Sequence, residues 1–185
     1  MSAIDRLLSN YRHQVRLPWS ANISGKQRVW FAVYPPAEER RVRAHLSQFE
    51  ADTREARHGW TTIDLTRLLP EWISAHEYRE GIFEQPQHLT TNSELETLAA
   101  ERVRQACSCE EVNADSVVAV IGLASLFDFM HVSSLIDRVE DSVRGRLLVF
   151  FPGEYQQNIY RFMDARDGFN YMAVPITSTE RFVNP

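Results

Sequence analysis

The chain has 185 residues, 44% of them hydrophobic and 24% charged; this is the make-up of one globular domain with a full-sized core, and two independent domains would be a squeeze. A formal charge of −5 supplies no global positive field to draw in nucleic acid, which argues against general DNA binding while a local basic face stays open. Lys26 is the sole lysine among 20 basic residues, a bias that fits genome composition better than a demand for bidentate recognition.

Ser2 is placed to cap an opening helix over about residues 3–15, with Ile4, Leu7, Leu8, Tyr11 and Val15 at helical spacing. After the loop LPWSANISGKQ, the run Val29 to Tyr34 is apolar throughout and ends at Pro35-Pro36, as expected of a strand buried on both faces. Pro36 can start a helix whose stripe is Val42, Leu46, Phe49 and Ala56, with Glu38 and Glu39 in its first turn and Gly59 placed to end it. Trp60 to Leu65 reads as a second strand and Leu68 to Tyr78 as a helix. Residues 79–93 lose all period and contain Pro86, which predicts a mobile excursion.

Helical spacing resumes from Glu94 to Cys107. A continuous apolar strand ending near Gly122, a helix from Val132 to Arg144, the strand LLVFF and a last strand in NYMAVPI complete the chain. Strands and helices that alternate, with the strands fully apolar, predict a three-layer α/β sandwich around a mostly parallel sheet of about five strands, spanning residues 1–185 as one domain. Such a fold is Rossmann-like, or P-loop-like without the phosphate loop. Its crevice lies at the carboxyl ends of the strands, which gathers residues 34–38, 64–67, 122–131 and 152–155 on one edge.

The glycines stand at 25, 59, 81, 122, 145, 153 and 168, never closer than eight apart, so neither G-x-G-x-x-G nor a two-glycine phosphate loop can be written. No cofactor or metal is therefore called for. Asp64 fits a ribose or metal ligand, but an N-cap for the helix that follows is the simpler role. His76 and Glu80 share a helical face in the predicted helix, yet a metalloprotease motif needs histidine at both positions. Ser125 and His131 lack the nucleophile elbow of a hydrolase. Asp137, Glu140 and Asp141 alternate with Arg138 and Arg144 in the manner of a solvated face. Cys107 and Cys109, two apart on a helix, point to no disulfide framework or zinc site. The N-terminus lacks an apolar signal core and no run approaches a membrane span, so the chain is expected to be cytoplasmic.

Two segments keep their interest. LASLFDFMH, residues 123–131, puts Phe127, Phe129 and Met130 around Asp128 in a connection where polar residues are expected; they either fill a core gap or form a docking surface. In FFPGEY, Pro152-Gly153 is competent for a type II turn from which Glu154 and Tyr155 would project.

The succession RVWFAVYPP, WTTIDLTRLL, SVVAVIGLASLFDF, GRLLVFFPGEY and YRFMDARDGFNYMAVPI resembles the BrxB family of bacteriophage exclusion (BREX) defence systems. The likeness runs from Met1 to Ile176 and is most specific at LLVFFPGEY and Asn170-Tyr171. It implies a non-catalytic adaptor or scaffold subunit whose partners are other defence proteins: an alkaline-phosphatase-like protein, an AAA-type ATPase and an adenine methyltransferase. The candidate partner contacts are Phe127, Asp128, Phe129, Met130, Pro152, Gly153, Glu154 and Tyr155. The alternative is a nucleotide- or nucleic-acid-processing enzyme with an atypical site at the same edge, using Asp64, Asp128 and Glu154. A DNA-contacting accessory would rest on Arg40, Arg41, Arg43, Arg54 and Arg57, but Glu38, Glu39, Glu50, Asp52 and Glu55 interleave with them.

Overall fold

Strands β1 (Val29–Tyr34) and β3 (Ser116–Ile121) are buried along their whole length, as are the first eight residues of β4 (Arg146–Gln156). Runs of Val, Ile, Phe and Leu with no polar alternation suit strands covered on both sides. With β2 (Gly59–Asp64) and β7 (Val174–Thr177) they form a parallel sheet in the order β2-β3-β4-β1-β7. The computed structural model describes residues 2–85, 93–165 and 168–179. Within them the fold is the expected α/β arrangement, a mostly parallel sheet flanked by helices.

Alternate residues of each strand feed two cores. On one face Trp30, Ala32, Tyr34, Val117, Ala119, Leu148 and Phe150 pack under α1 (Ala3–Arg16), α2 (Glu39–Ala44) and α3 (Leu46–Glu55). On the other, Phe31, Val33, Val118, Val120, Val149 and Phe151 pack under α4 (Leu68–Ala75), α6 (Ser93–Ser108) and α7 (Val132–Val139). Each buried Val, Leu, Ile or Phe contributes about 1.5–3 kcal/mol, so this two-sided sheet is the main source of stability.

The opening helix is set by its cap. Asp5 N–H donates to Ser2 Oγ at 3.1 Å and Ser2 N–H donates back to Asp5 Oδ2 at 2.8 Å, a closed capping box. Tyr11 O–H meets Thr53 Oγ1 at 2.6 Å inside the core, and Arg12 Nε donates to the buried Asp52 carboxylate at 2.9 Å, which ties α1 to α3. At the opposite edge from the crevice the Arg146 guanidinium is buried beneath Trp19 and Trp30, 4.6 and 5.7 Å from their ring centroids. Burial, and then the charge of Arg28, lower its pKa.

Several boundaries differ from expectation. The helix expected after Pro36 is broken into a tight turn at Pro36–Glu38, α2, and α3, with His45 between them. Gly59 opens β2 instead of ending that helix, and Arg57, at φ 66°, makes the left-handed exit. The helix from Leu68 stops at Ala75, so His76 and Glu80 do not share a helix. The helix from Val132 ends at Val139 and tightens at Glu140–Ser142. In the expected excursion, Arg79–Glu84 forms α5 and Ser93 opens α6, while residues 86–92 lie outside the described residues.

Candidate functional site at the carboxyl ends of the strands

The register places Tyr34 opposite Pro152 and Asp64 opposite Ile121, so the carboxyl ends of β1, β2, β3 and β4 do meet on one edge. From that edge the chain leaves β1 toward β2 on one side, and leaves β4 toward β7 on the other. The β1/β4 boundary is therefore where the connections diverge, the usual ligand crevice of an open α/β sheet.

Beside this edge, one face of the sheet is covered by a hairpin of the chain itself. β4 does not stop at Pro152-Gly153; it continues to Gln156, pairs antiparallel with β5 (Ile159–Phe162), and bends back over the sheet, since Tyr160, in register with Tyr155, packs on Phe31, in register with Val149. The expected type II turn is absent: Gly122 is the only glycine with positive φ among the described residues. The reversal lies at Gln157 and Asn158, with φ of 50° and 64°, the two-residue turn whose twist matches a hairpin. Gly153 matters for closeness instead, since a Cβ there would lie 2.1 Å from the Arg161 carbonyl oxygen. From β5, Tyr160 and Phe162 drop onto Phe31 and Phe151, with centroids 4.7 to 5.8 Å apart, and β6 (Phe169–Asn170) adds Phe169 to the stack. Tyr160 O–H donates to the Ala173 carbonyl at 2.8 Å, and burial holds its pKa well above the usual tyrosine value.

Tyr160 and Phe162 are the residues that sequence reasoning missed. The signal for them was local: Tyr160 and Phe162 flank Arg161 in strand alternation, directly after Gln157-Asn158.

The β1 and β2 ends are held by a polar network. Tyr34 O–H donates to Glu39 Oε2 at 2.5 Å, Arg43 Nε to Glu39 Oε1 at 2.9 Å, and Arg43 Nη2 to Thr66 Oγ1 at 2.6 Å. Arg43 Nη1 reaches Asp64 Oδ2 at 3.3 Å. Burial, and then the Glu39 carboxylate, raise the Tyr34 pKa far above its ordinary value. Asp64 does not cap the helix, which starts at Leu68 with Arg67 in the N-cap position; its Oδ1 instead accepts the Thr66 N–H at 2.9 Å and the Thr66 hydroxyl, an Asx turn ahead of α4. Burial pushes the Asp64 pKa up, but the Thr66 and Arg43 hydrogen bonds outweigh it and hold the carboxyl below its usual value. Gly122, at φ 86°, lets the β3 turn touch that carboxylate; a Cβ there would sit 2.6 Å from Asp64 Oδ1. The turn after β1 presents Pro35, Pro36, Glu38 and Glu39 where a phosphate site needs free amides and no carboxylates.

The eight predicted contact residues divide. Pro152 and Gly153 are buried in the strand, and Met130, 6% exposed, belongs to the core, so these three offer no docking surface: the hairpin and the helical layer cover them. Phe127 and Phe129 are partly buried against the same core, Phe127 lying 5.7 Å from Phe162. Asp128, at φ 67°, and Glu154 are exposed, and Tyr155 is half-buried with its hydroxyl donating to Asn158 Oδ1 at 2.9 Å. Arg161 lies 3.8 Å from Glu154 and Ile159 is an exposed apolar residue at the hairpin end.

Other candidates are placed apart. Ser125 Oγ donates to the Gly122 carbonyl at 2.7 Å. Asp137 pairs with Lys26 at 3.4 Å, and Glu140 accepts the Tyr171 hydroxyl. Arg41, Arg43 and Arg54 pair with Glu38, Glu39 and Glu50. Among the described residues no three His, Cys, Asp or Glu side chains converge on a metal position, and no helix is long and apolar enough to cross a membrane. Comparison of the chain with family models, with curated proteins and with solved structures returns no match.

Proposed function

We propose that the chain is an adaptor subunit of a BREX phage-defence assembly, and that it binds its partner proteins through the outer side of the β4–β5 hairpin and the adjoining 123–131 turn. The observation that carries this reading is the hairpin itself. On its inner side Tyr160 and Phe162 pack on Phe31 and Phe151 of the sheet and Tyr155 lies on Tyr160, while Glu154 and Ile159 are carried on its outer side and Asp128 is exposed on the adjoining turn. Rigid presentation of a few mixed polar and apolar side chains lowers the ordering cost of protein association. The resemblance to the BrxB family, on LLVFFPGEY above all, supplies the class of partner: the alkaline-phosphatase-like protein, the AAA-type ATPase or the adenine methyltransferase of such a system.

The test is co-expression with each of these three proteins and co-purification of the chain carrying Glu154→Arg and Tyr155→Ala. Loss of a complex, with a cooperative melt retained by the isolated variant, supports the hairpin as the interface. An undiminished complex removes it. A thermal-shift screen with nucleotides and divalent metals runs beside this: saturable stabilisation by any of them would favour an enzymatic site at Asp64, Asp128 and Glu154 instead, because a ligand specific to the folded state raises its apparent stability.

A further inference from the structure

The two outer strands of the sheet are treated differently. β7 carries Pro175 within its four residues, and a proline in an outer strand turns its missing N–H outward and blocks addition of another strand. α1 also caps the end of this strand: Asn10 Nδ2 donates to the Thr177 carbonyl at 2.8 Å and Arg6 Nε to the Ser178 carbonyl at 2.8 Å. β2, at the other edge, has none of these devices. Its residues GWTTID contain no proline, its one charged side chain, Asp64, lies at its end bound to Arg43 and Thr66, and it pairs only with β3 among the described residues. Gly59 N–H donates to the Asp115 carbonyl and Leu65 N–H to the Ile121 carbonyl. In a parallel ladder this puts the odd-numbered residues on the β3 side. The N–H and C=O groups of Trp60, Thr62 and Asp64 therefore point outward, away from β3, and the side chains of Thr62 and Asp64 are exposed. Such an edge is a template for a further strand unless something covers it.

Beside the edge lies a cavity of about 150 Å³ between β2, α4 and α6. It is lined by apolar Ile63, Leu65 and Leu68, by Arg67, Glu71 and Arg102, and by Asp64, whose carboxylate is already held by Thr66 and Arg43. Two guanidinium groups share one carboxylate there: Arg67 and Arg102 reach Glu71 at only 3.7 and 3.6 Å. At the start of the strand Arg57 is exposed and has no ion partner among the described residues. The cavity opens on the face to which Ile63 points, so a side chain of an added strand lying beside Ile63 projects into it.

We propose that the outer edge of β2 is a strand-addition site for an extended acidic segment of a partner protein, with one of that segment's carboxylate side chains seated between Arg67 and Arg102. The backbone ladder supplies affinity and the cavity supplies the preference for Glu over a basic residue. This extends the adaptor reading to a second surface, remote from the hairpin.

The probe is a pair of capped eight-residue peptides, one alternating Glu with Val and the other Lys with Val, read by amide hydrogen exchange on the full chain. At about ten times its Kd the acidic peptide slows exchange at Trp60, Thr62 and Asp64 by about tenfold, and the lysine peptide does not. Thr62→Pro removes an outward N–H without touching the β3 ladder, and abolishes the protection. Arg67→Glu with Arg102→Glu, both at exposed positions, weakens the acidic peptide by roughly tenfold or more and covers the case in which the proline variant does not fold. Equal protection by both peptides, or none by either, overturns the proposal. So does protection of these amides that rises with protein concentration alone, which would assign the edge to a second copy. The Glu154→Arg, Tyr155→Ala variant retains the peptide response, so a failure here leaves the hairpin interface standing and a failure there leaves this one.

Discussion

Gly153→Ala should destabilise the protein by about 1–3 kcal/mol, the cost of forcing a methyl group into a packed interior. The Cβ would stand 2.1 Å from the Arg161 carbonyl oxygen and 2.8 Å from Phe151 Cε1. The first obstacle is backbone, so relief requires β5 to retreat by roughly 1 Å, and a close-packed core transmits that strain. The pairing of Gly153 with Phe162 and the Met163 N–H bond to the Pro152 carbonyl at 2.8 Å lie directly in its path. For a chain of this length each 1 kcal/mol lowers Tm by about 2–4 °C, so thermal melts followed by circular dichroism should fall by roughly 2–12 °C. Gly153→Asn gives the decisive contrast. A type II turn accepts Asn at this position because Asn tolerates positive φ, whereas a strand pressed against its neighbour rejects every Cβ. Asn should therefore cost at least as much as Ala. A near-neutral Asn variant beside a damaged Ala variant would refute the continuous strand, and two near-neutral variants would refute the close approach of β5.

Arg12→Ala removes the ion partner of Asp52, which is 1% exposed and retains only Gln48 Nε2 at 3.4 Å; urea midpoints should report a loss of about 2 kcal/mol, below the 3–5 kcal/mol of a fully buried pair because Arg12 is half-exposed. Asp64 has a folded pKa below its unfolded one, so its contribution is present above about pH 4 and disappears as pH falls through the depressed folded value. Asp64→Asn should accordingly lower stability at neutral pH and flatten the acid limb of a stability profile, and an unchanged acid limb would count against the Arg43–Asp64–Thr66 network. Cys107 is buried and its thiol is pushed up to about 11, burial being the main cause, while Cys109 is exposed. A thiol reagent at pH 8 should label Cys109 in the folded protein and reach Cys107 only on unfolding; two equally fast thiols would mean that α6 is not packed as described.

The strands were legible because their burial on both faces is written in adjacent residues: VWFAVY, SVVAVI and RLLVFF leave no polar face for water. Ser2 was legible as a cap for the same reason, since its partner Asp5 lies three residues away, whereas the Asp64 side chain turns to Thr66 and α4 opens only at Leu68. What local pattern misjudged depends on distant partners. Pro152-Gly153 satisfies the composition of a turn, yet Pro152 lies in register with Tyr34 and Gly153 with Phe162, and those pairings extend the strand through both residues. For Met130 the sequence leaves core filler and docking contact both open, because the core that receives it is assembled from other parts of the chain. Gly59 resembled a helix stop because nothing nearby shows that Ser116 is to lie beside it.

Outward-facing residues are the hardest to read for a physical reason. Burial restricts a position to a few side chains, and exposure restricts it hardly at all, so Glu154, Ile159 or Thr62 carries no local mark of what it meets. The backbone supplies the missing constraint. A strand that ends a sheet must be paired, covered or blocked, and here one edge is blocked by Pro175 while β2 is not. An apolar sheet face must likewise be covered, and here Tyr160 and Phe162 of the hairpin cover Phe31 and Phe151. In both places the main chain narrows what the surface can do before any exposed side chain is considered. The variants at Glu154 and Thr62 follow from those two facts, and both facts are independent of any family resemblance.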